Sequence, residues 1–218
     1  YQEAGRAGRD RKQAFCSLLF SNDFPERSEK LLDPNTSLET VKTLCDNLPR
    51  SEADDITRVL WFHTNSFGGA DIDFDLMCKV LEDIGSIESA RDVRLLFGAG
   101  DERLQREKAI HRLLTIGVVI DYTISHSSKE FTVRLAHPSN ENVLQALYQY
   151  IAAYQRERAQ VAVERVRSRY DLEMPYGQFI RQVGRELIDF IYEVVESSRR
   201  HALFEMLSAC TNNPDNEG

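Results

Sequence analysis

The stretch VVIDYTISHSSKEFTVRL, residues 118–135, decides the fold of the region around it. Its first part, residues 118–124, is apolar and rich in β-branched side chains, which favours a β-strand. Its last part, residues 130–135, alternates apolar and polar side chains, as a half-buried strand does. The polar residues 126–129 between them predict the tip of a β-hairpin.

Apolar side chains at helical spacing predict helices on both sides of this hairpin. Ahead of it we predict a helix over 37–47 with Ser37 as its N-cap, and further helices over 51–67, 73–84, 88–97 and 101–116. Gly117 is expected to end the last of these as a C-cap. After the hairpin we predict a long helix over 139–170 with Ser139 as its N-cap, and further helices over 176–197 and 199–209. Near the amino end, the apolar residues 14–20 predict a buried strand.

The composition of the 218 residues excludes several classes of protein. It is 42% hydrophobic and 28% charged, as in globular domains, and it contains no apolar run long enough to span a bilayer. The net charge of −8 argues against a strongly basic nucleic-acid binder, so any DNA contact must come from local patches. The first residue is not Met, and we expect the chain to be a fragment of a longer protein.

The four cysteines are scattered, and no pair has the spacing of a zinc site. We expect free, mostly buried thiols in a reducing compartment, and no metal. The cysteines are Cys16, Cys45, Cys78 and Cys210.

The first ten residues, YQEAGRAGRD, carry the candidate chemistry. Arg6 and Arg9 are three residues apart, so one helical turn places both guanidinium groups on one side, with Gln2 nearby. Two forked cations suit a γ-phosphate whose charge spreads in the transition state. Residue types alone leave a solvated basic turn as an equal alternative.

This string resembles the last helicase motif of superfamily 2 enzymes, in the form typical of the RecQ family. The resemblance covers residues 1–20 closely. It implies that Gln2, Arg6 and Arg9 project into the cleft between two RecA-like lobes and contact ATP. There Arg6 and Arg9 would be catalytic, with one acting as an arginine finger on the γ-phosphate.

The phosphate-binding loop G-x-x-x-x-G-K-[ST] does not occur in these 218 residues. We therefore expect ATP and Mg²⁺ to be bound mainly by a part of the protein ahead of Tyr1, and this chain alone to be inactive. RecQ enzymes usually carry a helical platform with four zinc-binding cysteines. The cysteine spacing here predicts a divergent branch without zinc.

The expected fold is mainly α-helical with a small β-hairpin, in the α+β class. The chain is expected to have five segments, of which the resemblance implies the first three and the sequence pattern the last two. They are the C-terminal edge of the second RecA-like lobe over 1–24, a helical platform over 25–70, a winged-helix domain over 71–138, a C-terminal helical segment over 139–211 and a disordered tail over 212–218.

The order of helices followed by a hairpin resembles a winged helix, in which the third helix enters the major groove and the hairpin tip is the wing. Basic side chains on helix 101–116 and at the tip are candidates for contact with DNA phosphates. They are Arg103, Arg106, Lys108, Arg112 and Lys129. A solvated helix face and a protein-contact surface are the alternatives.

Arg158 and Arg165 share one face of the following helix and are further candidates for tracking a phosphate backbone. The alternative is an exposed helix face whose arginines pair with acidic neighbours.

Three functions are open on these grounds. The first is the C-terminal part of an ATP-dependent 3′–5′ DNA helicase of RecQ type, acting in repair or recombination on duplex and single-stranded DNA. The second is a helicase-derived protein-interaction or regulatory module, with partners at the C-terminal helices. The third is an unrelated DNA-binding transcription factor. The first implies no membrane partner and a cytoplasmic, nucleoid-associated location in a bacterium, or a nuclear one in a eukaryote.

Overall fold

The computed structural model describes residues 21–98, 100–170 and 174–211. The helices are α1 Pro25–Leu32, α2 Leu38–Asp46, α3 Asp55–Ser66, α4 Ala70–Ile84, α5 Glu102–Thr115, α6 Asn140–Ala152, α7 Arg156–Arg169, α8 Tyr176–Phe190 and α9 Glu196–Thr211. The strands are β1 Arg91–Leu96, β2 Val119–Ser125 and β3 Glu130–Leu135. The mainly helical α+β class is therefore confirmed. The predicted strand over 14–20 and the tail over 212–218 lie outside the described residues.

The described residues pack as two compact units. The first unit holds residues 21–66 and 198–211, and the second unit holds the described part of 67–197. The functional segments expected from the sequence stay predictions, since compactness does not assign a function to a segment.

In the first unit, the apolar faces of α1, α2, α3 and the C-terminal part of α9 supply one hydrophobic cluster. Its buried members are Leu31, Leu32, Val41, Cys45, Leu60 and Leu207. The hydroxyl of Ser37 accepts a hydrogen bond from the Thr40 backbone N–H at 3.2 Å, which caps α2 as its sequence predicts. The short helix α1 was not predicted, because it offers only two apolar side chains, and Pro25 at its first turn is its clearest signal.

In the second unit, the three strands form an antiparallel sheet in the order β1-β3-β2. The hairpin of β2 and β3 confirms the prediction. Phe131, Val133 and Leu135 of β3 are fully buried on one face of the sheet. The prediction of a helix over 88–97 is wrong, because strand β1 occupies this segment. One edge of its backbone pairs with β3, about 40 residues away along the chain, so local spacing carried no signal for it.

Helix α5 lies between β1 and the hairpin and ends in a Schellman motif. Gly117 has φ of 77°, and its N–H donates to the Leu114 carbonyl at 3.0 Å. The Val118 N–H donates to the Leu113 carbonyl at 3.0 Å. The predicted C-cap is confirmed, and it aims the chain directly into β2.

The long helix expected over 139–170 is two helices, α6 and α7, with residues 153–155 between them. Ser139 caps α6 as predicted, accepting from the Asn142 N–H at 3.2 Å. The side chain of Asn140 at the start of α6 donates to the Tyr170 hydroxyl at the end of α7 at 2.7 Å, so the two helices run antiparallel. Packing of their apolar faces, rather than a glycine or proline, makes this turn.

Helix α8 has the predicted apolar stripe, and all of its members are buried: Phe179, Ile180, Val183, Leu187, Phe190, Ile191 and Val194. The prediction that one helix ends at residue 197 and another begins at residue 199 is wrong. A π-helical segment, Ile191–Val195, joins α8 to α9 without an interruption. The extra residue in such a turn re-aims the side chains around it, which a pattern of period 3.6 does not reveal.

Candidate nucleic-acid interface

Three of the predicted site residues lie in a part of the chain that the structure does not describe. Gln2, Arg6 and Arg9, the candidates for ATP contact, precede residue 21. Their role as cofactor-binding and catalytic groups stays a prediction. The predicted DNA contacts are all described, and each has a definite environment.

On α5, Arg103 and Arg106 are both held by carboxylates. The Arg103 guanidinium lies 2.7 Å from Glu107 of the same helix. Arg106 bridges two acids, at 2.6 Å from Asp83 and 3.0 Å from Glu102, and only 14% of its side chain is exposed. The hydrogen bond from Arg106, followed by one from the Gly98 N–H, holds the pKa of Glu102 below its ordinary value.

Lys108 and Arg112, one turn further along α5, converge on a single buried carboxylate. Asp73 in the first turn of α4 lies 3.2 Å from the Arg112 guanidinium and 3.6 Å from the Lys108 ammonium. The Asp73 side chain is 2% exposed. A buried acid held by two cations is a structural cross-link between α4 and α5.

Tyr192, in the π-helical segment, completes this buried group. Its hydroxyl accepts a hydrogen bond from the Gly69 backbone N–H at 3.0 Å. Burial first, and then the neighbouring Asp73 carboxylate, raise the pKa of Tyr192 above its ordinary value. Sequence reasoning missed Asp73 and Tyr192. The only available signal was an acid in the first turn of α4, which by itself indicates a favourable helix-dipole contact.

Lys129 stands at the hairpin tip in a different environment. Its backbone has φ of 51°, and its carbonyl accepts a hydrogen bond from the Phe97 N–H at 2.9 Å. The residue is exposed, and none of the described carboxylates forms an ion pair with its ammonium group. The Lys129 ammonium group is therefore accessible to an anion of another molecule.

Arg158 and Arg165 lie on the exposed face of α7 and contact carboxylates of the adjoining helix. Arg158 pairs with Glu193, and the Arg165 guanidinium lies 2.9 Å from Glu186. Glu186 is 4% exposed and also accepts from Arg169 at 3.1 Å. Pairing with acidic neighbours was one of the two interpretations that the sequence left open. Nearly half of each side chain, 46% for Arg158 and 49% for Arg165, is still exposed.

The structure thus separates the predicted DNA contacts into three groups. Arg103 and Lys108 form one of them, since each side chain is 30% exposed and paired with a carboxylate. Arg106 and Arg112 are mostly buried and serve as internal ion-pair partners, so a phosphate would have to displace carboxylates to reach them. Lys129, Arg158 and Arg165 keep exposed charge. The two arginines line a cavity of about 280 Å³. Glu157 and Asp189 also line it, so its wall carries both positive and negative charges.

A second cavity in the same unit, of about 670 Å³, lies beside the first turn of α8. Its wall includes Leu81, Ile87 and the rings of His137 and Tyr176, whose centroids are 4.8 Å apart. Burial raises the pKa of Tyr176 to about 12. The wall is mainly apolar, with Arg181 paired to Glu82 at 3.2 Å at its edge.

Within the described residues, no group of three or more His, Cys, Asp or Glu side chains is placed to hold a metal ion. Cys45 and Cys78 are free thiols. Burial, with a smaller contribution from Asp46, raises the pKa of the Cys45 thiol to about 11, so it is unreactive at neutral pH. No helix in this part of the chain is both long and apolar enough to cross a membrane.

Comparison with known proteins gave no relative: no family model, no curated protein and no solved structure matches this chain.

Proposed function

We propose that this chain is the C-terminal part of an ATP-dependent 3′–5′ DNA helicase of RecQ type, acting in repair or recombination. The observation that carries the proposal is the string YQEAGRAGRD at residues 1–10, in which Gln2, Arg6 and Arg9 all stand in the register of the helicase motif. In this function one arginine acts as the finger that stabilises the γ-phosphoryl in transfer. ATP and Mg²⁺ are then bound mainly by a lobe ahead of Tyr1, and no zinc is required.

The arrangement of the second unit supports a DNA-binding role. Helix α4, strand β1, helix α5 and the hairpin follow one another, and β1 pairs beside the hairpin. This order resembles a winged helix in which β1 stands in place of the helix predicted over 88–97, so α5 is the second and not the third helix of the segment. Lys129 at the wing tip and Arg158 and Arg165 on α7 have exposed charge for phosphates. Contacts of this kind position a protein on DNA without reading sequence.

A second candidate function is favoured by a separate observation. Arg103, Arg106 and Arg112 of α5, the predicted recognition helix, are each paired to a carboxylate within the second unit. A helix whose cations are already neutralised by its own fold adds little attraction for a polyanion. This favours a helicase-derived module that binds protein and has no unwinding activity.

DNA binding by the whole 218-residue chain separates the two candidates. The measurement is fluorescence anisotropy with labelled duplex and single strand, repeated over a range of salt concentrations. We expect affinity to fall steeply with salt. The variant with Lys129→Ala and Arg158→Ala together should lower the slope by about 2, since each removed cation accounts for roughly one phosphate. Arg58→Ala, which removes a cation of comparable exposure outside the predicted set, is the matched control.

The two outcomes of this measurement point in opposite directions. A salt-dependent affinity that the double substitution weakens and the control leaves unchanged supports the helicase. Absence of binding at the lowest salt concentration removes the DNA-binding role and favours the protein-interaction module.

ATP turnover tests the motif separately. In a protein that joins this chain to a nucleotide-binding lobe, Arg9→Ala should lower kcat for ATP by about 10³-fold, the contribution typical of an arginine finger. Unchanged turnover would rule out the assignment of Arg9. The coding sequence ahead of Tyr1 provides an independent check, because the proposal requires a G-x-x-x-x-G-K-[ST] loop there.

A further inference from the structure

The three-stranded sheet has two edges, and they differ in how their backbone groups are satisfied. The outer strand β2 has a register irregularity between Val119 and Asp121, and the Asp121 carboxylate accepts the Tyr122 N–H at 2.8 Å. Bulges and side-chain caps are the usual means by which proteins block an edge against further strands. The β2 edge is therefore blocked.

The β1 edge has no such protection. The Phe97 N–H donates to the Lys129 carbonyl at 2.9 Å, in line with the register of β1 on β3. Since hydrogen-bonded pairs alternate in an antiparallel ladder, Arg91, Val93 and Leu95 point their backbone groups at β3. The N–H and C=O groups of the intervening residues point outward, and no hydrogen bond joins them to any residue that the structure describes.

The three residues with outward-pointing groups are Asp92, Arg94 and Leu96. All three side chains lie on the solvent face of the sheet and are exposed, and Leu96 is 67% exposed. Arg94 forms no ion pair with a described residue. Asp92 lies 3.2 Å from Arg134 in an exposed pair. The edge thus offers an unsatisfied hydrogen-bonding row beside an uncompensated cation.

We propose that β1 pairs antiparallel with β1 of a second copy of this chain, joining two three-stranded sheets into one of six strands. The outward-pointing backbone groups of one β1 can form hydrogen bonds only with the outward-pointing backbone groups of the other β1. Few registers are therefore possible. Setting Arg94 opposite the second copy's Arg94, or Asp92 opposite its Asp92, places like charges together. Only the register centred on Val93 sets Asp92 opposite the second copy's Arg94.

In this register the two-fold axis generates the favourable pair twice. Each pair of Asp92 with the second copy's Arg94 exchanges two backbone hydrogen bonds, and it gives Arg94 a carboxylate that none of the described residues of its own chain supplies. Opposite charges facing each other across a ladder are stabilising, and like charges are destabilising. Charge complementarity therefore selects both the occupant of the edge and its register. This interface is independent of the proposed helicase function.

The test is a charge exchange at the edge, measured by sedimentation velocity on the whole chain. Concentrations must reach roughly 1 mM, because interfaces below about 1,200 Å² associate weakly. We expect the wild-type chain to self-associate. The Arg94→Asp variant and the Asp92→Arg variant should each be monomeric, since the charges facing each other are then alike. An equimolar mixture of the two variants should associate again, because each pair is then opposite in sign.

Arg156→Asp makes the same change of charge at an exposed position away from the sheet, and it should leave association unchanged. Far-UV circular dichroism checks that each variant is folded. If Asp92→Arg proves unfolded, Arg94→Asp still tests the interface, because Arg94 has no ion pair among the described residues to lose. A wild-type chain that stays monomeric would overturn the proposal and leave the edge to an extended peptide of another protein. Variants that associate as the wild type does would overturn it equally.

Discussion

At the scale of single residues, Asp73 organises the charges of the second unit. Its almost fully buried carboxylate forms ion pairs with Arg112 and Lys108 of α5. It also lies beside the Tyr192 hydroxyl of the π-helical segment. Three separate elements therefore depend on one acid. Removing one partner of a buried ion pair leaves the other charge without compensation, which costs more than the pair itself contributes.

Asp73→Ala should lower the free energy of unfolding by about 3 kcal/mol, because it leaves the mostly buried Arg112 guanidinium without the Asp73 carboxylate. Asp92→Ala is the control, since it removes an exposed carboxylate from an exposed pair and should cost less than about 1 kcal/mol. Urea unfolding followed by circular dichroism measures both. Equal losses for the two variants would contradict the role assigned to Asp73.

Glu102 gives the protein a defined response to acid. Its pKa is lowered in the folded state, first by the hydrogen bond from Arg106 and then by the bond from the Gly98 N–H. A depressed carboxyl pKa stabilises the fold fully above the unfolded value, about 4.3, and the stabilisation is lost as the pH falls through the folded value. The Tm difference between wild type and Glu102→Gln should therefore be present at neutral pH and vanish in strong acid. A difference that persists in acid would exclude this contribution.

At the scale of elements, the sequence predicted those whose signals are local. The hairpin of β2 and β3 follows from alternation, α2 and α6 follow from their serine caps, and the end of α5 follows from Gly117. Strand β1 was missed because its partner is distant in sequence. The separation of α6 from α7 was missed because no residue breaks the helical pattern at the turn.

Gly117→Ala tests the end of α5. A side chain at φ of 77° is strained, so the substitution should lower stability by about 1 kcal/mol. The matched control is Gly177→Ala in the first turn of α8, where a Cβ would meet no atom within 4 Å and the backbone is not left-handed. This control should be neutral or slightly stabilising. Urea midpoints compare the two variants, and a neutral Gly117→Ala would argue against the Schellman cap.

At the scale of the whole molecule, the net charge is −8, and most arginines in the described part of the chain are paired with carboxylates. The predicted DNA contacts therefore depend on the few cations with exposed charge, namely Lys129, Arg158 and Arg165. The division into two compact units also affects stability. Each unit has its own buried apolar side chains, so a substitution that weakens one core should destabilise mainly that unit.

Leu60→Ala removes a fully buried side chain from the core of the first unit and should cost it about 3 kcal/mol. Hydrogen exchange followed by mass spectrometry should then show faster exchange in residues 21–66 and 198–211, with little change in residues 67–197. Leu147→Ala, equally buried in the second unit, should give the reverse pattern. Uniform acceleration in both variants would show that the two units unfold as one.

The sequence by itself determined the α+β class, the hairpin, most helix ends and the candidate cations, because helix caps, left-handed glycines and side-chain alternation act over a few residues. Only the tertiary structure decided which cations remain exposed. The carboxylates of Asp73 and Glu186 form ion pairs with arginines of neighbouring helices. The pairing of β1 with β3 joins segments about 40 residues apart in the chain. Interactions between segments distant in the chain depend on how the elements pack, and local periodicity does not encode that packing.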